Sequence, residues 1–139
     1  MNINLKYILV LFFVLTSLCG LNGLAQVAYL PHYTTKNGLP SNNCYYTAQD
    51  KKGYIWVATD AGLSKFNGTT WTTYNALTTI NSVATDSNNG VWVSTGNVLY
   101  KFNGTDFNVI TDGVQKILRI ANNTIYIDAF DALMTYTIN

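Results

Sequence analysis

From residue 44 onward, apolar and β-branched positions fall in short runs, each closed by turn-forming residues. The first four runs are Cys44 to Ala48, Tyr54 to Thr59, Leu63 to Phe66 and Thr70 to Tyr74. They are separated by Asp50 to Gly53, Asp60 to Gly62, and Asn67-Gly68. The runs are too short for helices and rich in Tyr, Trp, Val, Ile and Thr, so each predicts a strand. Asn-Gly between the third and fourth predicts a two-residue type I′ hairpin turn with positive φ at both residues. The second run and its later counterpart, YIWVAT and VWVST, do not alternate apolar with polar. Strands of that kind are expected to be buried on both faces, as in a small sheet held between two like sheets.

The pattern then repeats. KFNG stands at Lys65 to Gly68 and again at Lys101 to Gly104, a spacing of 36 residues. In that register Asp50 falls on Asp86, Trp56 on Trp92, Thr59 on Thr95, Phe66 on Phe102, Gly68 on Gly104 and Trp71 on Phe107. Gly53 matches Gly90 only if the turn carries one extra residue. A third, partial copy follows: Val114 and Ile117, a turn at Asn122-Asn123, Ile125 to Ile127, and Leu133 to Tyr136. Upstream, Leu30-x-x-Tyr33 resembles the fourth-run pattern Trp71-x-x-Tyr74.

A period of this length marks a repeat architecture, in which no unit can bury its apolar face alone. The fold class expected is all-β: four-stranded antiparallel meanders stacked face to face as β-propeller blades. An open β-solenoid is the alternative. The chain divides into a signal peptide (1–25), a closing outer strand and entry loop (26–41), blade 1 (42–76), blade 2 (77–113) and partial blade 3 (114–139). That is about two and three-quarter blades, an incomplete ring. Propellers close with four to eight blades, so further blades are expected in a longer parent chain. Alternatively, two chains form a six-bladed homodimeric ring, each lending its Leu30 to Thr34 strand to the other.

The first residues read as an address. Lys6 precedes the apolar run Tyr7 to Cys19, and Gly-Leu-Ala precedes Gln26. This is the pattern of a secretory signal, with cleavage expected after Ala25. The apolar run is 13 residues, short of the ~20 that span a bilayer. No membrane span is expected after the signal. Past the signal only Cys44 remains, so no disulfide staples the domain. Cys44 itself reads as a small buried hydrophobe. Eight Lys plus Arg against seven acidic residues leave no basic face for nucleic acid.

The stretch Tyr33 to Tyr74 resembles the two-component regulator propeller family. The residues that carry the resemblance are Gly38 to Asn42 (GLPSN), Gln49-Asp50 before Gly53, the Trp56 to Thr59 strand, Gly62-Leu63, and a closing aromatic strand. Blade 2 keeps Asp86, Gly90, Trp92, Thr95 and Phe102 but has Asn97-Val98 in place of Gly-Leu. The resemblance implies an exported propeller, periplasmic or on the cell surface of a Gram-negative bacterium. It further implies a sensor of carbohydrate upstream of a two-component histidine kinase. Some relatives are secreted or surface modules without kinase output.

Catalytic chemistry finds little support in the residues. His32 is the one histidine, without partners for a triad or a metal. There is no Glu, and the Asp residues sit in repeats and turns, which argues against a paired-carboxylate glycosidase. No metal or cofactor is expected. Asp50 and Asp86 are expected to accept bonds from turn backbone, and Trp56 and Trp92 to pack between blades. If an oligosaccharide binds, propeller geometry puts it at the channel mouth, where the candidates are Asp60, Asn75, Asn81 and Asn97.

Overall fold

In the described part of the chain, strand follows strand with only one short 3-10 turn, Thr35–Asn37, ahead of them. The computed structural model describes Lys6 and residues 31–138. The signal segment with its cleavage after Ala25, and Leu30 of the expected outer strand, lie outside the described residues. The strands are β1 (Cys44–Gln49), β2 (Ile55–Thr59), β3 (Gly62–Phe66), β4 (Trp71–Tyr74), β5 (Ser82–Thr85), β6 (Val91–Ser94), β7 (Val98–Phe102), β8 (Phe107–Asp112), β9 (Val114–Ala121), β10 (Thr124–Ala129) and β11 (Ala132–Thr137). They form three antiparallel meanders, β1-β2-β3-β4, β5-β6-β7-β8 and β9-β10-β11. The all-β blade architecture expected from the repeat is the one observed.

The non-alternating strands explain why the blades must stack. Along β6, Val91 and Val93 point to the first blade, into a core with Trp56, Ala58, Leu63, Ile80, Val83 and Phe102. Trp92, between them, points the other way, into a core with Leu99, Val114, Ile117, Ile125, Ile127 and Ile138. One strand thus feeds two cores, because successive side chains leave a strand on opposite faces. Burying a side chain of this size contributes about 1.5–3 kcal/mol. A blade by itself would leave most of that to water.

Polar side chains stitch the blades together along the same register. Thr85 Oγ1 donates to Gln49 O at 2.9 Å, and Ser87 Oγ to Asn123 Oδ1 at 3.3 Å, each bond spanning 36 residues. In the buried centre, Ser82 Oγ lies 2.7 Å from Ser94 Oγ and accepts from Ile117 N at 2.8 Å.

Four expectations are corrected. First, Asn67 and Asn103 do not adopt positive φ; only Gly68 and Gly104 do, at 101° and 109°. The KFNG hairpins are four-residue loops closed by the Asn side chain. Asn67 Oδ1 accepts from Thr69 N at 2.9 Å and Thr70 N at 2.8 Å, and Asn103 Oδ1 from Thr105 N at 3.0 Å and Asp106 N at 2.8 Å. This is the alternative an Asx turn offers to a tight I′ turn. The two-residue turn with two left-handed residues occurs at Asn122-Asn123, with φ of 50° and 58°.

Second, the first turns of the two blades need no insertion. The left-handed position is Gly53 (φ 83°) in one and Asn89 (φ 62°) in the other. Gly90 instead matches Tyr54, and a Cβ added there would crowd the Asp86 carboxylate.

Third, the described part of the expected closing strand is not a strand. Residues 31–34 are irregular and lead into the 3-10 turn. The Tyr33 ring nevertheless packs on the first blade, 5.0 Å from Phe66 and 5.6 Å from Trp71. Tyr74 stands in the same way 4.6 Å from Phe102, one blade on. Fourth, Cys44 is exposed. It opens β1 at the bulge between Cys44 and Tyr46, ahead of the packed part of the strand.

Candidate functional site

In each of the first two blades an Asp, a Trp and a Lys form one unit. Asp50 Oδ1 accepts from Lys52 N at 2.9 Å and Tyr54 N at 3.0 Å, while its Oδ2 accepts from Trp56 Nε1 at 3.0 Å. Asp86 Oδ1 accepts from Asn88 N at 2.8 Å and Gly90 N at 2.7 Å, and Oδ2 from Trp92 Nε1 at 2.8 Å. Across the sheet, Lys65 Nζ lies 5.6 Å from the Trp56 ring and Lys101 Nζ 4.9 Å from the Trp92 ring. Burial alone would raise the Asp86 carboxyl. The bonds from Trp92, Gly90 and Asn88, with the Lys101 charge, outweigh it and hold the group below its ordinary value of 3.8. The turn-backbone role expected of both Asp residues is present, and the indole bond is an addition to it.

The tryptophans pack between blades. Trp56 stacks on Tyr74 at 6.1 Å and meets the Phe102 ring of the next blade at 5.8 Å. Trp92 meets Tyr136 of the third meander, also at 5.8 Å. Thr59 Oγ1 donates to Gly62 O at 2.8 Å and accepts from Ala61 N at 3.1 Å, closing the β2–β3 turn. A cleft of about 260 Å³ beside this machinery is lined by Asp50, Tyr54, Trp56, Lys65, Asn89 and Phe102 among others. Its charged groups serve the fold, since the same arrangement recurs one blade on.

The other rim carries the loops named from the sequence. Thr79 N donates to Asp60 O at 3.0 Å, Asn81 N to Ser94 O at 2.7 Å, and Val114 N to Asn97 O at 3.0 Å. Asn75 lies against Gly62, where a Cβ would come 3.1 Å from Asn75 Cα. Asp60, Asn75, Asn81 and Asn97 therefore gather on one rim, each held by the connection next to it. Their side chains differ in availability. Asp60 Oδ2 accepts from Asn43 Nδ2 at 2.7 Å, and the neighbouring Ser41 hydroxyl and Asn43 amide hold its carboxyl below the ordinary value. Its other oxygen is enclosed, with no partner at hydrogen-bond geometry. Asn75 and Asn97 are exposed, while Asn81 is half-buried against Gly96.

Of the four, only Asn81 lines the cavity on this rim. That cavity, of about 430 Å³, is bounded by Tyr45, Thr79, Asn81 and Lys116. Tyr45 comes from β1, Lys116 from β9, and Thr79 and Asn81 from the loop entering β5. The cavity thus takes side chains from three successive blades at their innermost strands. Thr79 holds φ 47°, an unusual conformation for a β-branched residue. Tyr45, Thr79 and Lys116 are missing from the set read from the sequence. Their spacing was the available signal: Tyr45, Asn81 and Lys116 follow at 36 and 35 residues.

Residues 38–61 match the family model described as two component regulator propeller. No curated protein matches the chain. Among solved structures, the chain is similar to the extracellular domain of a protein described as the hybrid two component system BT3049 from B. thetaiotaomicron. The TM-score is 0.63 at 23% identity over 77% of this chain and 17% of that one. It is similar as well to the extracellular domain of BT4673 from B. thetaiotaomicron, described as a one component system, with TM-score 0.63 at 22% identity over 77% of this chain and 16% of that one. The chain spans about one sixth of each, and at these identities the likeness is one of fold. Among the described residues no helix is long and apolar enough to cross a membrane.

Proposed function

We propose that this chain, which carries a two component regulator propeller repeat at residues 38–61, supplies blades of an extracytoplasmic sensor domain. The observation that carries the reading is the shared fold with extracellular domains of two such regulatory proteins. On this reading the blades bind a small oligosaccharide at the channel mouth and take no part in catalysis. Occupancy biases the packing of the ring, and through it a histidine kinase across the membrane. The segment 1–25 delivers the domain to the periplasm or cell surface of a Gram-negative cell, and the remaining blades are supplied by a longer parent chain.

A second reading keeps the binding module and changes the output. One of the two similar domains belongs to a protein described as a one component system, so one blade fold serves more than one kind of transduction. A secreted or surface module without kinase output belongs to this second reading.

The test is to express the full chain with its first 25 residues in a Gram-negative host, fractionate the cells, and titrate the recovered protein with an oligosaccharide panel. Processed protein in the periplasm starting at Gln26, with one saccharide class binding saturably, is the expected result. Retention in the cytoplasm, or no binding across the panel, would overturn the sensing reading.

A further inference from the structure

We infer that the mouth cavity bounded by Tyr45, Thr79, Asn81 and Lys116 selects an acidic saccharide, one bearing a carboxylate or sulfate group. This rests on the carbohydrate-binding reading above and names the class of ligand.

The first observation is charge. Of the four lining residues, Lys116 alone is ionised, and no carboxylate faces the cavity. Its cross-strand neighbour on the sheet is Asp128, and the ammonium lies 5.0 Å over the Tyr46 ring. A cation–π contact of that kind holds a lysine in place without neutralising it. Lys116 therefore brings to the cavity wall a positive charge that no lining carboxylate offsets.

The second observation is shape and polarity. The volume of about 430 Å³ lies within the ~300–1,000 Å³ of small-molecule sites. Tyr45 is 50% exposed, a large aromatic ring left open where a sugar face can stack on it. The Asn81 amide and Thr79 hydroxyl offer both donors and acceptors, which suit hydroxyls of a neutral ring. A neutral hydroxyl can also accept from the Lys116 ammonium, but an anionic substituent gains the stronger, charge-assisted bond.

The third observation is backbone geometry. Thr79 sits at φ 47°, held there by its N–H on Asp60 O at 3.0 Å. Strain of this sort persists where the surroundings fix it, and it gathers at ligand sites. Through that bond the Asp60 turn positions the cavity wall, although its own carboxylate is turned to Asn43.

The experiment is calorimetric or NMR titration of the full chain with size-matched neutral, uronate-bearing and sulfated oligosaccharides. One acidic series should bind, and the choice between uronate and sulfate identifies the anion. Raising salt should weaken binding by screening. Lys116→Ala should cost about ten-fold in affinity, as expected for one charge-assisted contact, and Lys116→Arg should retain most of it. Tyr45→Ala should weaken binding of every saccharide that binds. Lys65→Ala, at the opposite rim, should change nothing. Lys116 is exposed, so its replacement leaves the fold intact, which circular dichroism checks. Equal binding of neutral and acidic saccharides, or an unchanged affinity in Lys116→Ala, would overturn the inference and leave the sensing reading standing. Failure of every saccharide to bind would remove both.

Discussion

Replacing Asp86 probes the feature that recurs most regularly in the blades. Its carboxylate accepts three hydrogen bonds of 2.7–2.8 Å, two from turn amides and one from the Trp92 indole. Asp86 is 7% exposed and Trp92 1%. In Asp86→Ala the turn amides can find water, but the indole N–H cannot. A buried donor left unpaired costs about 1–3 kcal/mol, and each hydrogen bond to a charged group contributes about 1.5–3 kcal/mol when made. Allowing for partial rehydration of the turn, we expect Asp86→Ala to lose about 2–4 kcal/mol. That is a large part of the 5–15 kcal/mol that holds a typical domain.

Asp86→Asn keeps an acceptor for the turn but turns a donor toward the indole, so it should fall between wild type and Ala. The assay is urea unfolding followed by far-ultraviolet circular dichroism, with Trp92→Phe as the second arm of a double-mutant cycle. The two changes should couple by more than 1 kcal/mol, as contacting residues do. The pH dependence follows from the same contacts. The folded carboxyl lies below its ordinary value of 3.8, so its contribution is full above that value. It is lost as pH falls through the lower, folded value. The stability gap between wild type and Asp86→Asn should therefore be constant from neutral pH to about 5 and shrink under more acidic conditions. A loss below about 0.5 kcal/mol in Asp86→Ala, or a cycle with no coupling, would refute the reasoning, because surface changes cost that little.

Two further comparisons test other parts of the account. Trp71 has a buried indole N–H with no partner, and the equivalent position one blade on is Phe107; Trp71→Phe should be neutral or stabilising in thermal melts, whereas Trp71→Ala should cost about 3–5 kcal/mol. Gly90→Ala should destabilise more than Gly104→Ala, because a Cβ at 90 crowds the Asp86 carboxylate while one at 104 meets nothing within 4 Å. Chemical denaturation midpoints measure both, and the reverse order would show that the strain at φ 109° of Gly104 outweighs the clash.

The strands were legible because their length and turn punctuation leave few choices. Cys44 to Ala48 became β1 with one residue added, and Leu63 to Phe66 became β3 in the same way. The double-faced burial of YIWVAT and VWVST followed from their lack of alternation. The KFNG turn was misread because Asn-Gly can act through backbone or through side chain, and the residues are the same in both. The aromatic three places after the Gly, Trp71 or Phe107, starts the next strand and leaves four residues for the loop, a count that favours the side-chain closure. Asp50 and Trp56 stand six apart, as do Asp86 and Trp92, so their bond was written in the repeat but needed the turn geometry to be seen. The cavity was the least legible part. Tyr45, Asn81 and Lys116 occupy related places on or just before three inner strands, yet differ in type. Comparing one copy with the next finds what the copies share, and a ligand site in a ring is built from what they do not.

The central claim is that Trp56 and Trp92, of the first two blades, each pack on an aromatic of the following blade. It is tested most directly by nuclear Overhauser contacts in the full chain with labelled aromatic rings. The account predicts cross-peaks from the Trp56 indole to the Phe102 ring and from the Trp92 indole to the Tyr136 ring, both at ring-centre distances of 5.8 Å. Cross-peaks within each meander without either of these would mean that the blades form but do not stack, and would contradict the account.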